Sequence, residues 1–180
     1  MTEIGSVYGQ ALYDLAKSEG LAGPIWEEMQ TLCHCFTVEA PEFIKLLSAP
    51  SLSKQERCHI LDDSFRGQIQ PYLLNFLKLL TEKGYMRHFA HCCTAYRDAY
   101  YLDEGILQVE AVSAAPLSAD QLNRLSQKLA DLTGKTIRLQ TRLDPSCLGG
   151  IRLSYDGKQL DDTLQHRLQD VCKLLKNTVL

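Results

Sequence analysis

No apolar run in the 180-residue chain approaches the roughly 18 residues of a membrane span, so no transmembrane helix is expected. The first twenty positions carry Glu3, Asp14, Lys17 and Glu19 and no apolar leader core, so no signal peptide is expected either. No C-x-x-C occurs. The seven cysteines are an odd, scattered set: Cys33 and Cys35 form C-x-C, Cys92 and Cys93 are adjacent, and Cys58, Cys147 and Cys172 stand alone. That is not a secreted disulfide framework, and it points to a cytosolic protein whose thiols act as small apolar residues. Glycine and proline are too few, at 11 and 6, for a low-complexity chain. A dominant sign of charge is also missing: the net charge is −3, which argues against a whole-protein grip on nucleic acid or anionic lipid. G-x-S-x-G, H-E-x-x-H and G-x-x-x-x-G-K-[ST] are all absent.

The chain is 45% hydrophobic and 23% charged, long enough to bury a core without staples. Up to Gly105 every strong pattern has the helical period. Ile4, Val7, Tyr8, Ala11, Leu12 and Leu15 make one apolar stripe, ended by Gly20. Gly5 and Gly9 interrupt that helix at a cost of roughly 1 kcal/mol each relative to alanine, so a close approach is expected there. Pro24 suits the first turn of a second helix bearing Trp26, Met29, Leu32, Cys33 and Phe36, and Pro41 opens a short third with Phe43, Leu46 and Leu47. Ser53 and Glu56 form a capping box for a fourth helix with Cys58, Leu61 and Phe65. Pro71 to Gly84 encloses a fifth, apolar nearly all round and expected at the centre of a bundle, and a sixth carries Phe89, Cys92, Cys93, Tyr96, Ala99 and Tyr100.

Beyond Gly105 the period changes. Leu107, Val109 and Ala111 alternate with polar residues, as do Ile137 to Leu143 and Ile151 to Tyr155, which reads as strands. Between the first two, Ser118 with Gln121 caps a helix with a seam of Leu122, Leu125, Leu129 and Leu132, stopped by Gly134. Asp156-Gly157 is a hairpin signal, and Thr163 suits the cap of a last helix with Leu164, Leu168, Val171 and Leu175. The expected fold is therefore mainly α: an N-terminal six-helix bundle over 1–105, followed by a small α/β C-terminal domain over 106–180.

Candidate chemistry is sparse. His88 and His91, three apart beside Cys92, suggest a partial metal face, but no Asp or Glu follows until Asp98 and Cys92 falls on the core stripe; His34 between Cys33 and Cys35 invites the same thought and is set aside likewise. Gly149-Gly150 precedes a strand rather than a helix and reads as a turn needing positive φ. Asp62-Asp63 and Asp161-Asp162 are adjacent, so on a helix they diverge by about 100° and form no acid–base pair. No catalytic residue, metal site or cofactor site is assigned, and the pattern favours a protein that holds other proteins.

Two segments together resemble the delta subunit of F-type ATP synthases, a family related to the mitochondrial oligomycin-sensitivity-conferring protein. Val7-Tyr8-Gly9-Gln10-Ala11-Leu12-Tyr13-Asp14-Leu15-Ala16 is similar to the family's opening helix. Leu117-Ser118 through Lys135, followed by Leu143-Asp144-Pro145-Ser146-Cys147-Leu148-Gly149-Gly150-Ile151, is similar to its carboxy-terminal signature. Asn75 to Gly84 matches the fifth helix and its stop, so the resemblance runs the length of the chain. Gly9 stands where the family usually has alanine, Tyr85 where it has arginine, and Cys147 where it has an aliphatic residue.

The resemblance implies a non-catalytic stator subunit of the proton-translocating synthase, peripheral on the cytoplasmic face of the cell membrane. Its N-terminal domain would hold the amino-terminal helix of an alpha subunit between the first and fifth helices, through Tyr8, Ala11, Leu12, Leu15, Asn75, Leu79 and Glu82. Its C-terminal domain would meet the carboxy-terminal region of stalk subunit b, with Leu168, Val171 and Leu175 as candidate contacts. For each of Tyr8, Ala11, Leu12, Leu15 and Leu79 internal packing is the favoured reading, since the resemblance names the helix pair without deciding the face, while Asn75 and Glu82 suit a groove rim; Leu168, Val171 and Leu175 serve equally as core against the strands. A free-standing helical scaffold with an unrelated partner is the alternative.

Overall fold

The computed structural model describes residues 2–49, 52–147, 149–155 and 158–161. The chain divides into two compact units, Met1–Asp103 and Glu104–Leu180. Among the described residues the fold is mainly helical, with one four-stranded sheet towards the C-terminus.

In the first unit α1 spans Glu3–Ser18, α2 Ala22–His34, α3 Pro41–Leu47, α4 Lys54–Phe65, α5 Pro71–Lys83 and α6 Phe89–Asp103. These are not six equal rods. α3 has seven residues and continues from α2 through a π-helical stretch, Cys35–Glu39. Local chemistry sets several ends. Thr2 caps α1, Ser53 and Glu56 close a reciprocal capping box on α4, Pro71 occupies the first turn of α5, and Gly84 ends that helix at φ 73.

The core of this unit joins two aromatic groups. Phe36 stacks on Phe43 and meets Phe65 and Phe89 edge-on, while Trp26 lies against Tyr96, which in turn meets Tyr13. The Tyr96 hydroxyl donates to the Ala22 carbonyl at 2.9 Å, so its polar end is satisfied inside the core.

α1 packs most closely on α6, and its two interior glycines explain why. A Cβ at Gly5 would fall 2.4 Å from His91 Cβ, and one at Gly9 would fall 2.5 Å from the Cys92 carbonyl oxygen. The close approach expected at these glycines is therefore made within the chain, by α6. It is locked by charge: the Tyr13 hydroxyl donates to Asp103 at 2.7 Å, and Lys17 pairs with the same carboxylate at 2.7 Å.

In the second unit β1 spans Ile106–Ser113, α7 Ala119–Thr133, β2 Thr136–Leu143, β3 Ile151–Tyr155 and β4 Lys158–Asp161. The sheet order is β2-β1-β3-β4. β1 and β2 are parallel, from Ile106 opposite Thr136 to Ser113 opposite Leu143, and a parallel pair needs the crossover that α7 supplies. β3 runs antiparallel to both β1 and β4. Leu107, Val109 and Leu129 form the core, with Leu125, Ile137, Leu139, Leu153 and Tyr155 packed around them. Ser118 and Gln121 form the expected capping box, and Gly149 and Gly150 both have positive φ. The Asp156-Gly157 turn and the last helix read from Thr163 lie outside the described residues.

Candidate functional site

Placing α1 on a wheel of 100° per residue separates two faces. Gly5, Gly9, Tyr13 and Ala16 point to α6 and are buried. Tyr8, Ala11 and Leu15 lie roughly a third of a turn away, and Leu12 sits at the boundary between the faces. This second face lies beside α5. With α5's Tyr72, Asn75, Phe76 and Leu79 it lines an open groove of about 280 Å³ that is almost wholly apolar.

The groove has a floor and two walls. Leu12 and Phe76, 3% and 7% exposed, form the floor. Leu15 and Leu79, 41% and 40% exposed, stand as walls, and Val7, 61% exposed, extends the apolar surface along α1. At one end Tyr8 meets Tyr85 edge-on, with ring centroids 5.8 Å apart. At the other, the Tyr72 hydroxyl is bonded to Glu19 just past the end of α1; that carboxylate pushes the phenol's pKa up. α1 and α5 thus run antiparallel, tied at both ends. From Tyr8 to Leu15 the trough is about 10 Å long, or two helical turns.

The surroundings differ in kind. A neighbouring hollow of about 480 Å³ carries charged side chains, Glu28, Asp62, Arg66 and Lys78, among its lining residues. There Lys78 pairs with Asp62 at 2.6 Å, fastening α5 to α4; its ammonium holds the Asp62 carboxyl below the ordinary range. On the far side of α1, Lys17 first and Tyr13 second hold the Asp103 carboxyl low. Both walls of the groove are therefore braced from behind by ion pairs.

Tyr8, Ala11, Leu12, Leu15, Asn75 and Leu79 come together in this groove. Glu82 does not line it; it faces α4, beside Lys54, Gln55, Cys58 and Lys83. Leu168, Val171 and Leu175 lie outside the described residues. Tyr72 and Phe76 belong to the groove and are absent from the residues assigned by sequence. Their spacing of three, four and seven from Asn75, Leu79 and each other carries the signal.

The described histidines lack the arrangement of a metal centre. His88 Nδ1 lies 3.4 Å from Thr2 Oγ1, and its Nε2 accepts from Arg87 Nε at 3.3 Å, so a cation already occupies the position a metal would take. Among the described residues no three His, Cys, Asp or Glu side chains converge. A trough this apolar, with Tyr8 and Tyr72 as its only titratable lining residues, can receive an apolar helix face.

A family profile described as "ATP synthase delta (OSCP) subunit" matches residues 4–175. The chain is 31% identical over 176 residues to an ATP synthase subunit delta of Desulfitobacterium hafniense (strain Y51), covering 97% of each protein. It is 34% identical over 170 residues to one from Lactobacillus gasseri, covering 94% of this chain and 92% of the relative. Among solved structures, a chain of the Toxoplasma gondii mitochondrial ATP synthase hexamer shares the fold with a TM-score of 0.74 at 22% identity, over 97% of this chain and 98% of that one.

Proposed function

The chain belongs to the ATP synthase delta (OSCP) subunit family, a structural and non-catalytic part of ATP synthase, and from that premise we propose that it is the stator connector between catalytic head and peripheral stalk. In this reading residues 1–105 form the six-helix bundle that sits on the head and residues 106–180 form the domain that meets subunit b. The α1/α5 groove receives the amino-terminal helix of an alpha subunit. The assembly lies peripherally on the cytoplasmic face of the membrane, and the chain resists the torque that the proton-driven rotor puts on the head.

The observation that supports this most is the exposure of large apolar side chains on a braced surface. Leu15 and Leu79 leave about two fifths of their surface in water, and Val7 leaves more. A partner helix with an i, i+3/i+4, i+7 apolar stripe would cover them. Completing the burial of a few such side chains at ~1 kcal/mol each yields a few kcal/mol, short of the −12 kcal/mol that nanomolar holding needs. The groove alone is therefore a weak clasp. Firm attachment follows from flanking contacts along α1 and from the second unit's simultaneous hold on the stalk, which makes each contact intramolecular with respect to the other.

Co-purification from a cell carrying the tagged chain tests this reading. Alpha and b subunits are expected in the eluate, and Leu15→Asp with Leu79→Asp is expected to weaken alpha capture while the b contact persists. Alpha capture at full strength by the folded double variant would remove the groove from the account.

A further inference from the structure

We propose that Cys33 and Cys93 form a peroxide-reactive thiol pair that closes, on oxidation, into a disulfide tying α2 to α6. The two residues are far apart in sequence and meet in space. Cys93 Sγ, on buried α6, rests 3.9 Å from the Met29 carbonyl oxygen. Met29 is one helical turn before Cys33, and its carbonyl is the one that the Cys33 amide faces within α2. The Cys93 thiol donates to that carbonyl, and the two thiols also interact with each other there, each altering the other's acidity.

Their environments divide the labour. Cys33 is half-buried and open to small solutes, whereas Cys93 is 5% exposed and closed to them. The contact with Cys93, with neighbouring His34 adding to it, holds the Cys33 thiol at about 7, so a large fraction is thiolate near neutral pH. The same contact and burial push the Cys93 thiol well up. The other described thiols with altered acidity are unreactive by the same physics: burial raises Cys92 to about 11, and burial with Glu82 raises Cys58. An accessible thiolate touching an inaccessible thiol has the geometry of an attacking and a resolving cysteine.

With hydrogen peroxide as oxidant the chemistry balances. The Cys33 thiolate attacks one peroxide oxygen; an S–O bond forms, the O–O bond breaks, and hydroxide leaves. Cys33 is now a neutral sulfenic acid, so its charge no longer opposes ionisation of Cys93. Cys93 sulfur then attacks Cys33 sulfur; the S–S bond forms, the S–O bond breaks, and the second hydroxide leaves. The two thiol protons convert both hydroxides to water. Two thiols are oxidised to a disulfide and one peroxide is reduced to two waters. Sulfurs already in contact need little side-chain rotation to bond. The product staples the first unit across a loop that contains α5, one wall of the groove.

The test treats the 180-residue chain with excess hydrogen peroxide, blocks remaining thiols by alkylation, and maps cysteines by mass spectrometry without reduction. The expected product is a Cys33–Cys93 disulfide, with the thermal unfolding midpoint raised by on the order of 10 °C and restored by dithiothreitol. Cys33→Ala, at a half-exposed site, is expected to keep the untreated midpoint and to lose the peroxide-induced rise. Cys93→Ala is expected to leave Cys33 with nothing to resolve it, so that it proceeds to sulfinic acid. Peroxide that leaves Cys33 free, links it to Cys35, or carries it to sulfinic acid in the unsubstituted chain would overturn the proposal, and Cys33→Ala decides the matter even if Cys93→Ala does not fold.

Discussion

Replacing Gly9 by alanine puts the packing of α1 to a direct test, because the same substitution elsewhere should act with the opposite sign. In an unhindered helix Gly→Ala stabilises by up to ~1 kcal/mol. At Gly23, in the first turn of α2, a new Cβ would find only the Tyr100 hydroxyl oxygen at 3.5 Å, an ordinary contact. At Gly9 it would fall 2.5 Å from the Cys92 carbonyl oxygen and 2.8 Å from Ala95 Cβ. Neither atom belongs to a side chain that can rotate aside, so α1 must lift from α6. Overpacking of this kind costs about 2–3 kcal/mol, which outweighs the propensity gain and leaves a net loss of ~1–2 kcal/mol. The two variants should thus differ by about 2–3 kcal/mol, a separation of roughly 1–2 M in urea midpoint. Urea unfolding followed by far-UV circular dichroism, with the slopes compared, reads this directly. Lifting α1 also moves one wall of the groove, so Gly9→Ala should weaken helix binding, which Gly23→Ala should leave alone. Equal midpoints for the two variants would refute the close α1–α6 contact.

Two further outcomes follow from the same geometry. Leu15→Ala with Leu79→Ala removes side chains whose remaining two fifths of exposure a partner would cover, ~0.6–1.2 kcal/mol each; binding of an alpha amino-terminal peptide should weaken roughly 10- to 50-fold by calorimetry. The Asp103 carboxyl is held low by Lys17 and then Tyr13. Its folded pKa lies below its unfolded one, near 3.9, so its contribution is complete above that value and is lost as pH falls through the folded pKa. Asp103→Asn should therefore be less stable than the parent at pH 7, with the gap closing on acidification below about pH 4; a gap independent of pH would contradict the clamp.

What could be read from the sequence was mostly local. Ser53 with Glu56, Ser118 with Gln121, and Pro71 with Gly84 set helix ends through hydrogen bonds and φ preferences that need no tertiary context, and all three appear where expected. The alternation in Ile137 to Leu143 and Ile151 to Tyr155 marked strands for the same reason. The inward face of α1 was not legible. The stripe through Val7, Tyr8, Ala11 and Leu15 reads as core, yet Val7 and Leu15 are exposed and the deepest contact is made by Gly5 and Gly9. Glycine contributes nothing to a hydrophobic pattern, and the face it marks is recognisable only when the partner helix is known. The fifth helix misled in the same way: its apolar surplus reads as burial on all sides, whereas part of it lines an open trough. The π-helical stretch Cys35–Glu39 and the Tyr13–Lys17–Asp103 clamp join or bend elements through non-local packing, and no spacing rule announces them. The resemblance names the helix pair; the groove between those helices is lined by Tyr72 and Phe76 as well, and Glu82 stands outside it.

We propose the trough between α1 and α5 as the seat of a helix from the catalytic head. Its most direct test is a titration of the isotope-labelled 180-residue chain with a peptide copying the alpha subunit's amino-terminal helix, followed residue by residue by NMR. Saturable shifts centred on Tyr8, Ala11, Leu15, Tyr72, Asn75 and Leu79 are the predicted result. Saturable binding whose shifts fall elsewhere, or no binding at millimolar peptide, would contradict it.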